Sequence, residues 1–127
     1  MKTAELIGAL LDYWVAKAEG YEAEIMKDEK GEFVVRTERF ENGGHARGPF
    51  FPSTNWLDGG PIIERECITV GPVHTERRIE LGEDPLWGAH KGDANEDWRA
   101  EEFDGPTPLV AAMRAYVASK FGEDVAQ

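Results

Sequence analysis

Between Pro52 and Arg65 the chain sets two hydroxyls (Ser53, Thr54), an amide (Asn55), an indole (Trp56) and a carboxylate (Asp58) ahead of Gly59-Gly60-Pro61 and a Glu64-Arg65 pair. Backbone N–H groups at a Gly-Gly corner cradle anions such as phosphate or carboxylate. An indole stacks planar groups. Glu64 can accept from a ring N–H, and Arg65 can fork onto a phosphate. Together these groups suit a small-ligand pocket. The same residues also suit a structural corner. There, Ser53 or Thr54 caps a helical turn, Asp58-Gly59-Gly60 supplies turn chemistry, Trp56 enters the core and Glu64 pairs with Arg65 on the surface.

The remaining candidates for chemistry are weaker. Asp93-Ala94-Asn95-Glu96-Asp97 with Asp104 echoes the start of a calcium loop, but Trp98 stands where that loop needs Gly. His45, Cys67, His74 and His90 form no paired short spacing of the kind zinc sites use, so no metal is expected. They read as three ordinary histidines and one buried thiol. Ser53 and Asp58 with a histidine make a triad on paper, without a nucleophile elbow. No Walker loop or dinucleotide fingerprint is present, and no cofactor is expected. No residue is assigned a catalytic role.

Two helices must frame this corner. Leu6, Ile7, Leu10, Leu11, Trp14, Val15 and Ala18 fall on one helical stripe, with Thr3 as N-cap and Gly20 as the left-handed stop. Gly8 interrupts that stripe and would permit close approach of another backbone. Thr107-Pro108 starts a second helix as N-cap and first helical residue. Its stripe is Leu109, Ala112, Met113, Tyr116, Val117 and Phe121, ending at Gly122. Between them, 32–40 reads as a strand, Asn42-Gly43-Gly44 as a hairpin turn and 46–51 as the returning strand. Pro61 to Glu66 is ambiguous, with a one-turn helix as one solution. Further strands are expected at 67–70, 77–81 and 98–103. Residues 82–97 read as a long loop, with Trp87 either an exposed anchor or a pin. The predicted fold is α+β: a small, mainly antiparallel sheet packed with N-terminal and C-terminal amphipathic helices. Residues 1–122 form one domain in this reading, and 123–127 a frayed tail.

Composition narrows the function class. The 127 residues carry a net charge of −11, which disfavours nucleic acid and anionic membranes as partners. A single cysteine excludes an internal disulfide and suits a reducing compartment. Neither a signal peptide nor an apolar run of roughly 20 residues is visible. A cytoplasmic protein is expected.

Three blocks carry a resemblance to a known family. The first runs from Met1-Lys2-Thr3-Ala4-Glu5-Leu6 through Leu11-Asp12 and Val15-Ala16. The second is Pro52-Ser53-Thr54-Asn55-Trp56 with Gly59-Gly60-Pro61-Ile62-Ile63-Glu64-Arg65-Glu66. The third is Trp98-Arg99-Ala100 with Gly105-Pro106-Thr107-Pro108 and the helix to Val117. In these blocks the chain resembles the NinX-like phage proteins, small phage and prophage proteins of unknown function. The resemblance implies a phage or prophage origin in a bacterium and no particular reaction. The family pattern usually has Asp where this chain has Asn55. An amide is no general base but caps a helix as well as Asp, so the departure favours structure or binding over catalysis.

The leading expectation is a noncatalytic accessory protein that binds a small, nucleotide-like ligand or a host protein. Its contacts would come from Ser53, Thr54, Asn55, Trp56, Asp58, Gly59, Gly60, Glu64 and Arg65, with Trp98 and Arg99 nearby. A second reading is an acidic interaction module using the stretch from Glu76 to Asp104, where acids outnumber bases by more than two to one. A third is a small hydrolase relying on Glu64 or Asp58. An exposed remnant of either helix stripe would favour a two-fold homodimer.

Overall fold

A computed structural model describes residues 1–73, 86–91 and 103–126. The amino terminus departs from the expected single helix. Thr3–Glu5 make one 3₁₀ turn, Leu6 and Ile7 are extended, and Gly8 opens α1 (Gly8–Ala18) at φ +62°. Gly8 is therefore used for its left-handed backbone, and not for close approach, since a Cβ there would meet nothing within 4 Å. Thr3 is not an N-cap. It is fully buried, and its hydroxyl donates to the Gly122 carbonyl at 2.8 Å.

The tail is tied down as well. Met1 and Val125 exchange backbone hydrogen bonds at 2.9 Å each way, Thr3 N–H donates to Glu123 O, and Val125 is buried. Residues 123–125 are thus paired with the amino terminus where fraying was expected. At its far end α1 stops as the sequence indicates. Gly20 sits at φ +85°, its N–H reaching Lys17 O while Tyr21 N–H reaches Ala16 O.

The strands divide into two antiparallel three-stranded sheets. In the first, β1 (Glu22–Asp28), β2 (Gly31–Arg39) and β3 (His45–Phe50) lie in that order. Val34 stands opposite both Ile25 and Phe50, so this side of the sheet faces the core. The Asn42–Gly44 turn forms as expected: Asn42 Oδ1 accepts from Gly44 N–H, and Gly43 takes φ +86°. β1 is absent from the sequence reading because it is an almost wholly exposed edge strand with little apolar alternation.

The second sheet holds β4 (Ile68–Val73), β5 (Leu86–Lys91) and β6 (Phe103–Gly105) in that order. β5 lies inside the segment expected to be a loop, and Trp87 is half-buried against the core. The strand expected at 77–81 and the residues 98–102 lie outside the described residues.

The final helix, labelled α3 here (Pro108–Phe121), begins as read: Thr107 Oγ1 accepts from Val110 N–H at 3.2 Å, and Pro108 is the first helical residue. It is not amphipathic in the expected sense. Val110, Ala111 and Ala115 are buried along with the expected stripe, while Phe121 is exposed. The cause is that α3 packs against β4, β5, β6 and α1 and also touches the helix between the sheets, leaving little solvent face. α1 in turn packs on β1 and β2. Among the described residues no helix is long and apolar enough to cross a membrane.

β6 approaches the final helix closely at Gly105, where a Cβ would lie 2.7 Å from Ala111 N and 3.2 Å from Ala111 Cα. Gly105→Ala must push β6 off α3. We expect a loss of about 1–3 kcal/mol in urea unfolding, the usual cost of overpacking. An unchanged midpoint would show that β6 moves freely.

Candidate functional site

The corner after β3 is built by a tight turn. Thr54 and Asn55 N–H groups both reach Phe51 O, at 3.2 and 2.8 Å. Asn55 is extended, and its Oδ1 accepts from Leu57 N–H at 2.9 Å. Asn55 is therefore the N-cap, not Ser53 or Thr54, and it starts α2 (Trp56–Glu66). Asn55 thus performs a capping role that Asn and Asp fill about equally well.

Asp58, Gly59 and Gly60 are helical rather than a turn. Asp58 and Gly59 N–H groups close on Asn55 O. Gly59 is present for space. A Cβ there would lie 2.4 Å from Pro52 O and 2.7 Å from Leu109 Cδ2. Pro61 stands inside the helix, where it removes the bond to Leu57 O. That carbonyl belongs to a residue 80% exposed, so water replaces the missing donor at low cost. A Gly-Gly-Pro run that reads as a breaker is thus held helical by its packing on α3.

Two carboxylates secure the turn from opposite sides. Asp58 Oδ2 accepts Phe51 N–H at 2.9 Å, and Asp12 Oδ1, from α1, accepts Ser53 N–H at 2.8 Å. Asp12 is 3% exposed, and its pKa is pushed up to about 6. Burial is the main cause. The Ser53 hydroxyl and N–H pull it back, and Asp58 adds repulsion. Ser53 Oγ is itself enclosed and makes no hydrogen bond of good geometry. Asp12 was not among the expected site residues. Its signal was legible: it lies three and four positions before Val15 and Ala16, on the buried face of α1.

At the other end of α2 the charges are committed to each other. Arg65 forks onto Glu19 and donates Nε to Glu66 Oε2 at 3.0 Å, while Lys91 Nζ reaches Glu66 Oε1 at 3.0 Å. The buried Tyr116 hydroxyl donates to Glu19 Oε2 at 2.6 Å. Burial first, and then Glu19, holds that phenol well above its usual range. Hydrogen bonds to Glu19 and Glu66 raise the Arg65 guanidinium further still. Arg65 therefore pairs with Glu19 and Glu66, not with the exposed Glu64. Cys67 is exposed, not buried. It ends α2 at φ +53°, so the strand begins one residue later than expected.

The corner presents two large apolar side chains outward. Trp56 is 56% exposed and Leu57 80%, so Trp56 is not a core residue. Thr54 and Asn55 are exposed beside them. Trp98 and Arg99 lie outside the described residues, as do Asp93–Asp97 and His74. Among the described residues no group of three or more His, Cys, Asp or Glu could hold a metal ion.

Residues 2–120 match the family described as bacteriophage P22, NinX. The chain belongs to this NinX family. That covers the three resembling blocks apart from Met1, and it makes the protein phage-derived. No curated protein matches the chain. Within this NinX-family chain, Asp12, Ser53 and Asn55 through Glu66 are drawn into one hydrogen-bonded unit that joins α1, β3 and α2.

The raised Asp12 pKa has a definite sign in stability. Between the unfolded value of 3.8 and about 6, the folded state holds a proton that the unfolded state has released, so stability from this group falls as pH rises. Asp12→Asn keeps an acceptor for Ser53 N–H and removes the buried charge. Relative to wild type, the variant should gain on the order of 1–3 kcal/mol between pH 4 and pH 7.5. A difference independent of pH in denaturant titrations would refute the buried charge. At the cap, Asn55→Asp should leave stability nearly unchanged while Asn55→Ala costs about 1 kcal/mol. Equal losses in thermal melts would deny the capping role.

Proposed function

We propose that this phage-derived protein is a noncatalytic accessory factor that docks a host protein through the first turn of α2. The supporting observation is an exposed Trp56–Leu57 pair on a turn whose polar groups bond inward. Asn55 caps the helix, Asp58 holds Phe51 N–H and Asp12 holds Ser53 N–H. A rigidly presented indole loses little entropy on contact and is the commonest kind of binding hot spot. The partner would offer an apolar socket. With a net charge of −11, a basic rim around that socket would speed encounter and make binding salt-sensitive.

A small anionic, nucleotide-like ligand at the same corner is less well supported. The Gly59 N–H is spent within the helix, and the Arg65 fork is spent on Glu19. The hydroxyl that a nucleophilic mechanism would need, on Ser53, is sealed.

Affinity capture from host lysate at low and high salt tests the reading. Trp56→Ala and Leu57→Glu should each reduce capture of the same partner at least tenfold, about 1.4 kcal/mol. Unfolding free energies should stay within roughly 0.5 kcal/mol of wild type, because both side chains already face solvent. Capture unaffected by both changes, or variants that melt early, would overturn the proposal.

A further inference from the structure

The two sides of the first sheet are covered unequally: Val34 and Phe50 are buried, whereas Phe33 and Phe51 are only partly covered. α1 and the core occupy the side bearing Val34 and Phe50. Alternation along the strands puts Phe33 and Phe51 on the other side. There, beside the β1–β2 hairpin turn, lies a cleft of about 370 Å³. This is near the lower end of the range for small-molecule sites. It does not include Trp56, and it shares Phe51 with the turn that precedes α2.

We infer that this cleft binds a small planar cation, of the size of a two- or three-ring heteroaromatic amine. Its apolar walls are Phe33, Phe51 and Pro49. The two phenyl rings have centroids 6.4 Å apart and are tilted by 36°, presenting neighbouring π faces at an oblique angle. Rings stack well on such faces, and positive charge is drawn to them. Gly31, at the end of the cleft, leaves open space, since a Cβ there would meet nothing within 4 Å. Asp28, Glu32 and Lys30 also contribute to its lining. Asp28 accepts the Lys30 backbone N–H, a bond that fixes the turn. The charged lining residues therefore sum to a net negative formal charge, on a chain that is itself acidic. An anionic ring system meets the same walls and the opposite field.

Two fluorescent probes of like shape separate shape from charge: 9-aminoacridine, cationic at neutral pH, and anthracene-9-carboxylate. Fluorescence titration of the intact protein should give saturable 9-aminoacridine binding, with the carboxylate at least about tenfold weaker. Amide resonances of Gly31 and Phe33 should shift with the same saturation. Glu32→Lys should weaken 9-aminoacridine several-fold, and Lys30→Glu should strengthen it. Both side chains are exposed, so neither change threatens the fold. Absent saturation, equal affinity for the two probes, amide shifts confined elsewhere, or variants that do not move in opposite directions would each overturn the proposal.

Discussion

As far as Val117, α3 has almost no surface to spare for solvent, and the rest of the molecule is arranged around that constraint. Eight of its fourteen residues are buried. A helix covered on several sides needs small side chains where neighbours come closest, and Ala111, Ala112 and Ala115 supply them. The two glycines that approach it, Gly105 from β6 and Gly59 from α2, have no room for a Cβ. Close contact of backbones therefore replaces interdigitation of large side chains at these two points. It sets where the second sheet ends and where α2 can lie. The carboxyl-terminal end of the helix is secured by the amino terminus, through Thr3 on Gly122 and Met1 on Val125.

With α2 seated on α3, the turn that precedes it has to be fastened to α1. Asp12 does this at an electrostatic cost, because its carboxylate is removed from water and feels Asp58 nearby. A buried acceptor for a backbone N–H is still better than an orphaned N–H. The opposite end of α2 uses the other solution. Arg65, Glu19, Glu66 and Lys91 neutralise one another at a half-open surface, with Tyr116 closing the network from beneath. One helix is therefore anchored by a strained carboxylate at its start and a compensated ion cluster at its end. What remains outward is Trp56 and Leu57. The polar residues that looked like a pocket are the means by which an exposed indole and its neighbouring leucine are held in place.

Local chemistry was legible where it depends on neighbours in the chain. Thr107-Pro108 began a helix, Gly20 ended one, Asn42-Gly43-Gly44 turned a hairpin, and the α+β class followed from two apolar stripes flanking β-rich segments. Each rests on dihedral preference or on a side chain bonding its own backbone within a few residues. The reading failed at Thr3, at Gly59-Gly60-Pro61 and at 86–91. Thr3 has the chemistry of an N-cap but is recruited by a carbonyl at residue 122. Gly-Gly-Pro has the propensity of a break, yet packing against Leu109 and Pro52 outweighs a local preference of about 1 kcal/mol per glycine. Leu86–Lys91 lacks the signature of a strand because its pairing partners, β4 and β6, supply the hydrogen bonds that its own composition does not advertise.

The sequence by itself determined the α+β class, the helix start at Thr107-Pro108, the acidic character and the family. Only the tertiary structure decided that Asp12 belongs with Ser53, that Arg65 is occupied by Glu19, and that Trp56 faces out. Those facts depend on contacts between residues 41 to 46 positions apart, or on which side of a helix remains uncovered. No local preference encodes either, because the free energy that fixes them is gained only when separate elements bury one another's surfaces.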